Sequence, residues 1–136
     1  MFKGVLGQPI HMADNPVAIL HRLRDASGPK ETVGLSDHVI EDFCNSDADL
    51  VKAIHEAEQV HRALMEEFGQ DVMSLPEPEL IKHLQSDYVN FYSAATVNPY
   101  IPIAGRGPWL VTVCGAVLHD NGGYGMLGSG HGPSSV

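Results

Sequence analysis

The sequence predicts an α+β protein, a helical N-terminal segment followed by a β-hairpin and a glycine-rich loop, on three observations. Charge is segregated: sixteen of the seventeen Asp and Glu residues and seven of the eight Lys and Arg residues lie before residue 95. Apolar residues in that acidic part recur at helical spacing. Beyond it, "PWLVTV" and "AVLH" are short β-favouring runs, and nine of the fourteen glycines fall between Gly105 and Gly132. The chain therefore divides into a helical N-terminal extension, residues 1–95, and a hairpin with the start of a loop, residues 96–136.

Each element has its own local signal. Asn15 followed by Pro16 gives an N-cap with proline at the first helical position, and "VAILHRLR" carries the first helix to the Gly28-Pro29 break. Ser36 can cap a second helix through "DHVIEDFC", where Val39, Ile40 and Phe43 have helical apolar spacing. Ser46 opens the longest helix, with Asp47 and Asp49 at the positive end of its dipole and Gly69 as its stop. Along it Leu50, Ile54, Ala57, His61, Leu64 and Phe68 alternate four and three apart, the 3.5-residue period of a packing seam. A fourth helix begins near Pro76 to Pro78 and carries Leu80, Leu84, Tyr88 and Phe91 on one stripe until "NPYIP" stops it. The two β-favouring runs are joined through Cys114-Gly115, the pattern of a tight hairpin. No element after the glycine-rich stretch is there to cover that hairpin, so the sequence is expected to be truncated.

Composition narrows the function classes. A chain of 136 residues with 43% hydrophobic and 18% charged residues and a mean hydropathy of −0.06 suits one soluble globular unit. No apolar run approaches the roughly 18 to 20 residues of a membrane span, and the opening "MFKGVLGQPIHMADNP" has no signal-peptide pattern. A cytoplasmic location is the resulting expectation. A formal net charge of −9 disfavours nucleic acid and anionic membrane surfaces, because phosphate binding needs a concentrated basic face. Cys44 and Cys114, in unlike contexts, form neither a disulfide framework nor a metal-ligand pair by spacing.

Four kinds of site can be weighed from spacing. In "GYGMLG", Gly123, Gly125 and Gly128 spell G-x-G-x-x-G, but a dinucleotide turn needs a following helix, and Ser129, Gly130, Gly132 and Pro133 would break one. The eight histidines include no H-E-x-x-H. His55 and His61 are six residues apart, about 600° of helix rotation, so their rings face different ways and no metal is expected. His61, on the apolar seam, reads as a hydrogen-bonded core or interface residue, while spacing assigns His131 no role. Nothing brings His119 or His131 to Cys114 as a nucleophile's base. The carboxylates occupy charged helix positions that a solvated surface explains. On these grounds no catalytic, metal-binding or cofactor-binding residue is named.

The stretch from Asn98 to Pro133, "NPYIPIAGRGPWLVTVCGAVLHDNGGYGMLGSGHGP", nonetheless resembles the N-terminal hairpin of the class III, or ornithine/4-aminobutyrate type, pyridoxal-phosphate-dependent aminotransferases. The resemblance rests on a glycine before an aromatic-led strand (Gly107, Trp109), a hairpin glycine (Gly115), an aspartate closing the second strand (Asp120) and a Gly-His-x-Pro ending (Gly130, His131, Pro133). It implies an incomplete part of the small domain of a fold type I pyridoxal-phosphate enzyme, from a cytoplasmic homodimer. The parent would move an amino group between an amino acid or amine and a 2-oxo acid. It also implies two candidate substrate contacts, Tyr124 before the Gly-His pair and Tyr100 of "NPY"; a tyrosine offers an apolar face and a hydroxyl that can orient a carboxylate.

The resemblance equally implies what is missing. Pyridoxal-phosphate chemistry needs a Schiff-base lysine, a carboxylate facing the pyridinium nitrogen and phosphate donors. Lys3, Lys30, Lys52 and Lys82 match no such motif, and no basic residue follows Arg106. The chain alone is therefore expected to be inactive and not to bind pyridoxal phosphate. The alternative expectation is a self-contained helical protein-interaction module with a hairpin tail, whose Leu50 to Phe68 seam would pair with a partner helix.

Overall fold

Pro16 has no N–H to leave unpaired at a helix start, and Asn15 before it has an oxygen to offer, so the first helix begins where local chemistry directs it. In the computed structural model, which describes residues 14–86, 93, 98–121 and 130–132, the Asn15 carboxamide oxygen accepts from the Val17 amide at 3.0 Å and helix α1 runs Pro16–Ala26. Helix α2 spans Asp37–Cys44. Ser36 precedes it without a capping bond to its backbone; the hydroxyl meets His38 Nδ1 at 3.1 Å instead. Of the three apolar positions expected to face inward, Ile40 is fully buried and Val39 half-buried, whereas Phe43 is 41% exposed. Phe43 still sets its ring edge against Trp109, with centroids 5.0 Å apart.

The long helix α3, Ala48–Met73, is capped by Asp47 and not by Ser46: the Asp47 carboxylate accepts from the Asp49 amide at 2.9 Å. A carboxylate one residue further on satisfies an orphan amide and faces the positive end of the dipole, so it replaces the serine. Gly69 ends the first, continuous stretch of this helix, as its sequence position leads one to expect. It breaks the helical geometry with φ 81° and ψ 166°, a kink after which one further turn reaches Met73. Leu50, Ile54, Ala57 and His61 of the seam are buried, and Leu64 and Phe68 are half-buried. Helix α4, Glu77–Leu84, starts after Pro76 and buries Leu80 and Ile81. Tyr88 and Phe91, expected on its stripe, lie outside the described residues.

Among the described residues three strands follow, not two. Strand β1 (Pro102–Arg106) pairs antiparallel with β2 (Trp109–Thr112), which pairs antiparallel with β3 (Val117–His119), in the order β1-β2-β3. The sequence reading stops a helix at "NPYIP" and does not place β1, because Pro102, Ala104 and Gly105 have poor intrinsic strand preference. Pairing supplies what propensity lacks: Ala104 faces Val111, Gly105 faces Leu110 and Arg106 faces Trp109, with a register irregularity near the proline. The β2–β3 turn falls at Cys114-Gly115, where the Gly115 amide donates to the Thr112 carbonyl at 2.9 Å and Gly115 takes φ 75°. An added Cβ there would sit 2.9 Å from Arg24 Cγ and 3.1 Å from the Leu20 carbonyl oxygen, so the turn needs glycine on both backbone and packing grounds.

The fold is thus α+β, with four helices and one three-stranded antiparallel sheet among the described residues. Helix α3 packs against α1 and against strands β1 and β2, and α1 also reaches the β2–β3 turn through Leu20 and Arg24. One apolar cluster joins Leu20 and Leu23 of α1, Leu50 and Ile54 of α3, Trp109 and Val111 of β2, and Val117 of β3. A second joins Met73, Leu80, Val113 and Cys114. Trp109 is 1% exposed, and its indole N–H reaches the Asp47 carboxylate at 2.8 Å, so the largest core residue buries no unpaired donor. Among the described residues, no helix is long and apolar enough to cross a membrane.

Candidate functional site

Four of the residues that carry the resemblance, Gly107, Asp120, Gly130 and His131, meet at the end of the sheet where β1 turns into β2. Gly107 takes φ 52° in that turn, and residue 131 pairs with it in both directions: Gly107 donates to the His131 carbonyl at 3.0 Å, and His131 donates to the Gly107 carbonyl at 2.8 Å. Asp120, just past β3, donates its amide to the Pro108 carbonyl at 2.8 Å. Its carboxylate lies 3.0 Å from His131 Nε2, both side chains being partly shielded. The chain leaving β3 and the chain returning at Gly130 are therefore held to the same turn, one by Asp120 and the other by His131.

Glycine makes this approach possible. A Cβ on Gly130 would lie 2.9 Å from Gly107 Cα and 3.0 Å from its carbonyl oxygen, and one on Gly132 would lie 2.6 Å from the Gly105 oxygen. Both residues also have positive φ, 69° and 53°. Arg106 completes the corner: it grips the Glu56 carboxylate of α3 with Nε and Nη2, and its Nη1 donates to the Gly132 carbonyl at 3.3 Å. That ion pair holds the guanidinium firmly in its charged form.

The two candidate tyrosines stand differently. Tyr124 lies outside the described residues. Tyr100 is half-buried and precedes β1, so the length of that strand separates it from the Gly107–His131 corner.

A second polar concentration, beside the β2–β3 turn, involves residues that spacing did not nominate. Glu77 is 1% exposed, an exception to the expectation that the carboxylates sit at solvated positions. Its Oε2 accepts from the backbone amides of Glu31 at 2.6 Å and Thr32 at 2.8 Å, while Oε1 has no hydrogen-bond partner. Glu77 thereby ties the 29–32 segment to α4, and its own amide donates to the Pro29 carbonyl. Periodicity cannot reveal such a role, because the partners are backbone groups 45 and 46 residues away. The only local hint is a glutamate directly after a helix-opening proline.

Cys114 lies in the same region, at the base of a cleft of about 260 Å³ whose lining includes Arg24, Lys30, Ser36, Asp37 and Ala116. Burial pushes its thiol up to about 11, helped by the nearby Glu77 charge and opposed by Ser27 and Lys30, so it is a poor nucleophile near neutrality. His119 faces Trp109 at the other end of β3, and His131 bridges to Gly107 at that same end. Neither histidine is placed to serve as a base for Cys114. Across the lip, Arg24 donates to the Gly115 carbonyl at 3.0 Å and to Asp37 at 2.6 Å, while His21 Nε2 lies 2.6 Å from the other Asp37 oxygen. These two partners, His21 first, hold the Asp37 carboxyl below its usual range.

His61, expected as a hydrogen-bonded core or interface residue, is buried at 7% exposure, and its Nε2 has no hydrogen-bond partner within the chain. Burial holds its pKa below the ordinary value, because the charged imidazolium is the form that loses water. Among the described residues, no group of three or more His, Cys, Asp or Glu side chains is placed to hold a metal ion. Lys30, Lys52 and Lys82 are all exposed and lie on different parts of the chain, so the described residues offer no enclosed Schiff-base lysine with an acid and phosphate donors around it. Lys3 lies outside the described residues. No family model matches the chain, nor does any curated protein or solved structure.

Proposed function

We propose that this chain carries the helical N-terminal extension and small-domain hairpin of a class III aminotransferase. The complete enzyme would transfer an amino group between an amino acid or amine and a 2-oxo acid, as a cytoplasmic homodimer using pyridoxal phosphate. The observation that carries the reading is the two-way backbone bridge between Gly107 and His131, braced by Asp120. Every described residue behind the resemblance has a physical task in one hairpin unit. Gly107 and Gly115 make its two turns, Trp109 fills its core, Asp120 closes β3 on His131, and Gly130 lets the returning chain approach. Such mutual dependence favours a single motif over a chance scatter of glycines.

In this reading the 136 residues are one wall of a site, with Tyr124 and Tyr100 as candidate substrate contacts. Lys3, Lys30, Lys52 and Lys82 match no Schiff-base motif, so in this reading the 136 residues by themselves would be catalytically inert. The interaction-module reading rests on the Leu50 to Phe68 seam. Its first four positions are already buried in the chain's own fold, and Leu64 and Phe68 are half-buried, which leaves that reading with less support.

The discriminating experiment is to sequence the gene past the Val136 codon and assay the chain in parallel. The expected result is a continuing frame with a lysine after an apolar strand, and no lysine-dependent cofactor absorbance or transamination from the 136 residues. A stop codon after Val136 would overturn the aminotransferase reading. A stoichiometric cofactor band abolished by replacing one lysine would overturn the claim that the chain alone is inert.

A further inference from the structure

We draw no further inference here: the strongest candidate, the apolar groove formed by Val60, Leu64 and Phe68 of α3, Leu84 of α4, and Ile101 and Ile103 beside and within β1, carries nothing because nothing in the structure shows what covers it.

Discussion

Two ionisable side chains, Glu77 and His61, are withdrawn from water with one polar atom each left unpaired, and both should register in stability measurements. The Glu77 carboxylate satisfies two backbone amides. Replacing it with alanine strips both of their acceptor in a buried place, a loss of about 3 kcal/mol or more. Glu77→Gln keeps an oxygen for those amides and removes a buried charge, so its loss should be clearly smaller. Denaturant unfolding of the two variants checks this, and equal losses would show that an uncharged acceptor at residue 77 does not hold the 29–32 segment. His61 makes a pH-dependent contribution whose sign follows from its lowered pKa. The folded state resists a proton that the unfolded chain accepts, so the associated stability is complete above the ordinary value of 6.5 and drains away as pH falls through the lower folded value. Asp37, also lowered but from 3.8, loses its share in a separate and more acidic window. Comparing denaturation midpoints at pH 7.5 and pH 5 should show a drop in the parent chain that is much smaller in His61→Leu. An equal drop in both would assign the sensitivity to other groups.

Among the elements, β1 and the 130–132 segment are the ones that exist by virtue of their neighbours. The three residues 130–132 are too few to form a strand of their own, and the backbone bonds to Gly107, the Asp120–His131 contact and the Arg106–Gly132 bond help to hold them. Gly130→Ala tests that attachment, since the new Cβ would meet Gly107 at 2.9 Å with the backbone already at φ 69°. Strain of about 1–2 kcal/mol from the left-handed backbone alone, with the clash added, should detach the bridge and leave the β2–β3 ladder intact. The measurement is amide exchange: the Gly107 and His131 amides should lose protection while those of Val111 and Val117 keep theirs. Retained protection at Gly107 would mean that the corner relaxes around the methyl group.

At the scale of the molecule, the helices and the hairpin share one apolar cluster, so neither part has a complete core alone. Residues 1–95 by themselves would expose the face of α3 that strands β1 and β2 otherwise cover, where Leu50, Ala53 and Ile54 share one apolar cluster with Trp109 and Val111. Each large aliphatic side chain returned to water costs about 1.5–3 kcal/mol, against a total stability of about 5–15 kcal/mol for a typical domain. Expressed alone, residues 1–95 should therefore melt without a cooperative transition. A sharp two-state melt with native helix content would show that the extension is an independent folding unit.

The sequence by itself determined the parts governed by short-range chemistry. The Asn15-Pro16 start, the buried face from Leu50 to His61 and the Cys114-Gly115 turn all follow from capping, 3.5-residue spacing and the freedom of glycine, which act within a few residues. Tertiary structure decided whatever depends on partners far along the chain. Strand β1 is poor in strand formers and is held by β2 and α3, and Phe43 keeps helical spacing yet stands at the surface against Trp109. Glu77 looks like any solvated helix-opening glutamate until the amides of residues 31 and 32 fold over it. The glycines and His131 at the candidate site were visible as a pattern, but their meeting with Gly107 was not. Backbone hydrogen bonds carry no side-chain signature, so only the folded chain shows which segments come within reach of each other.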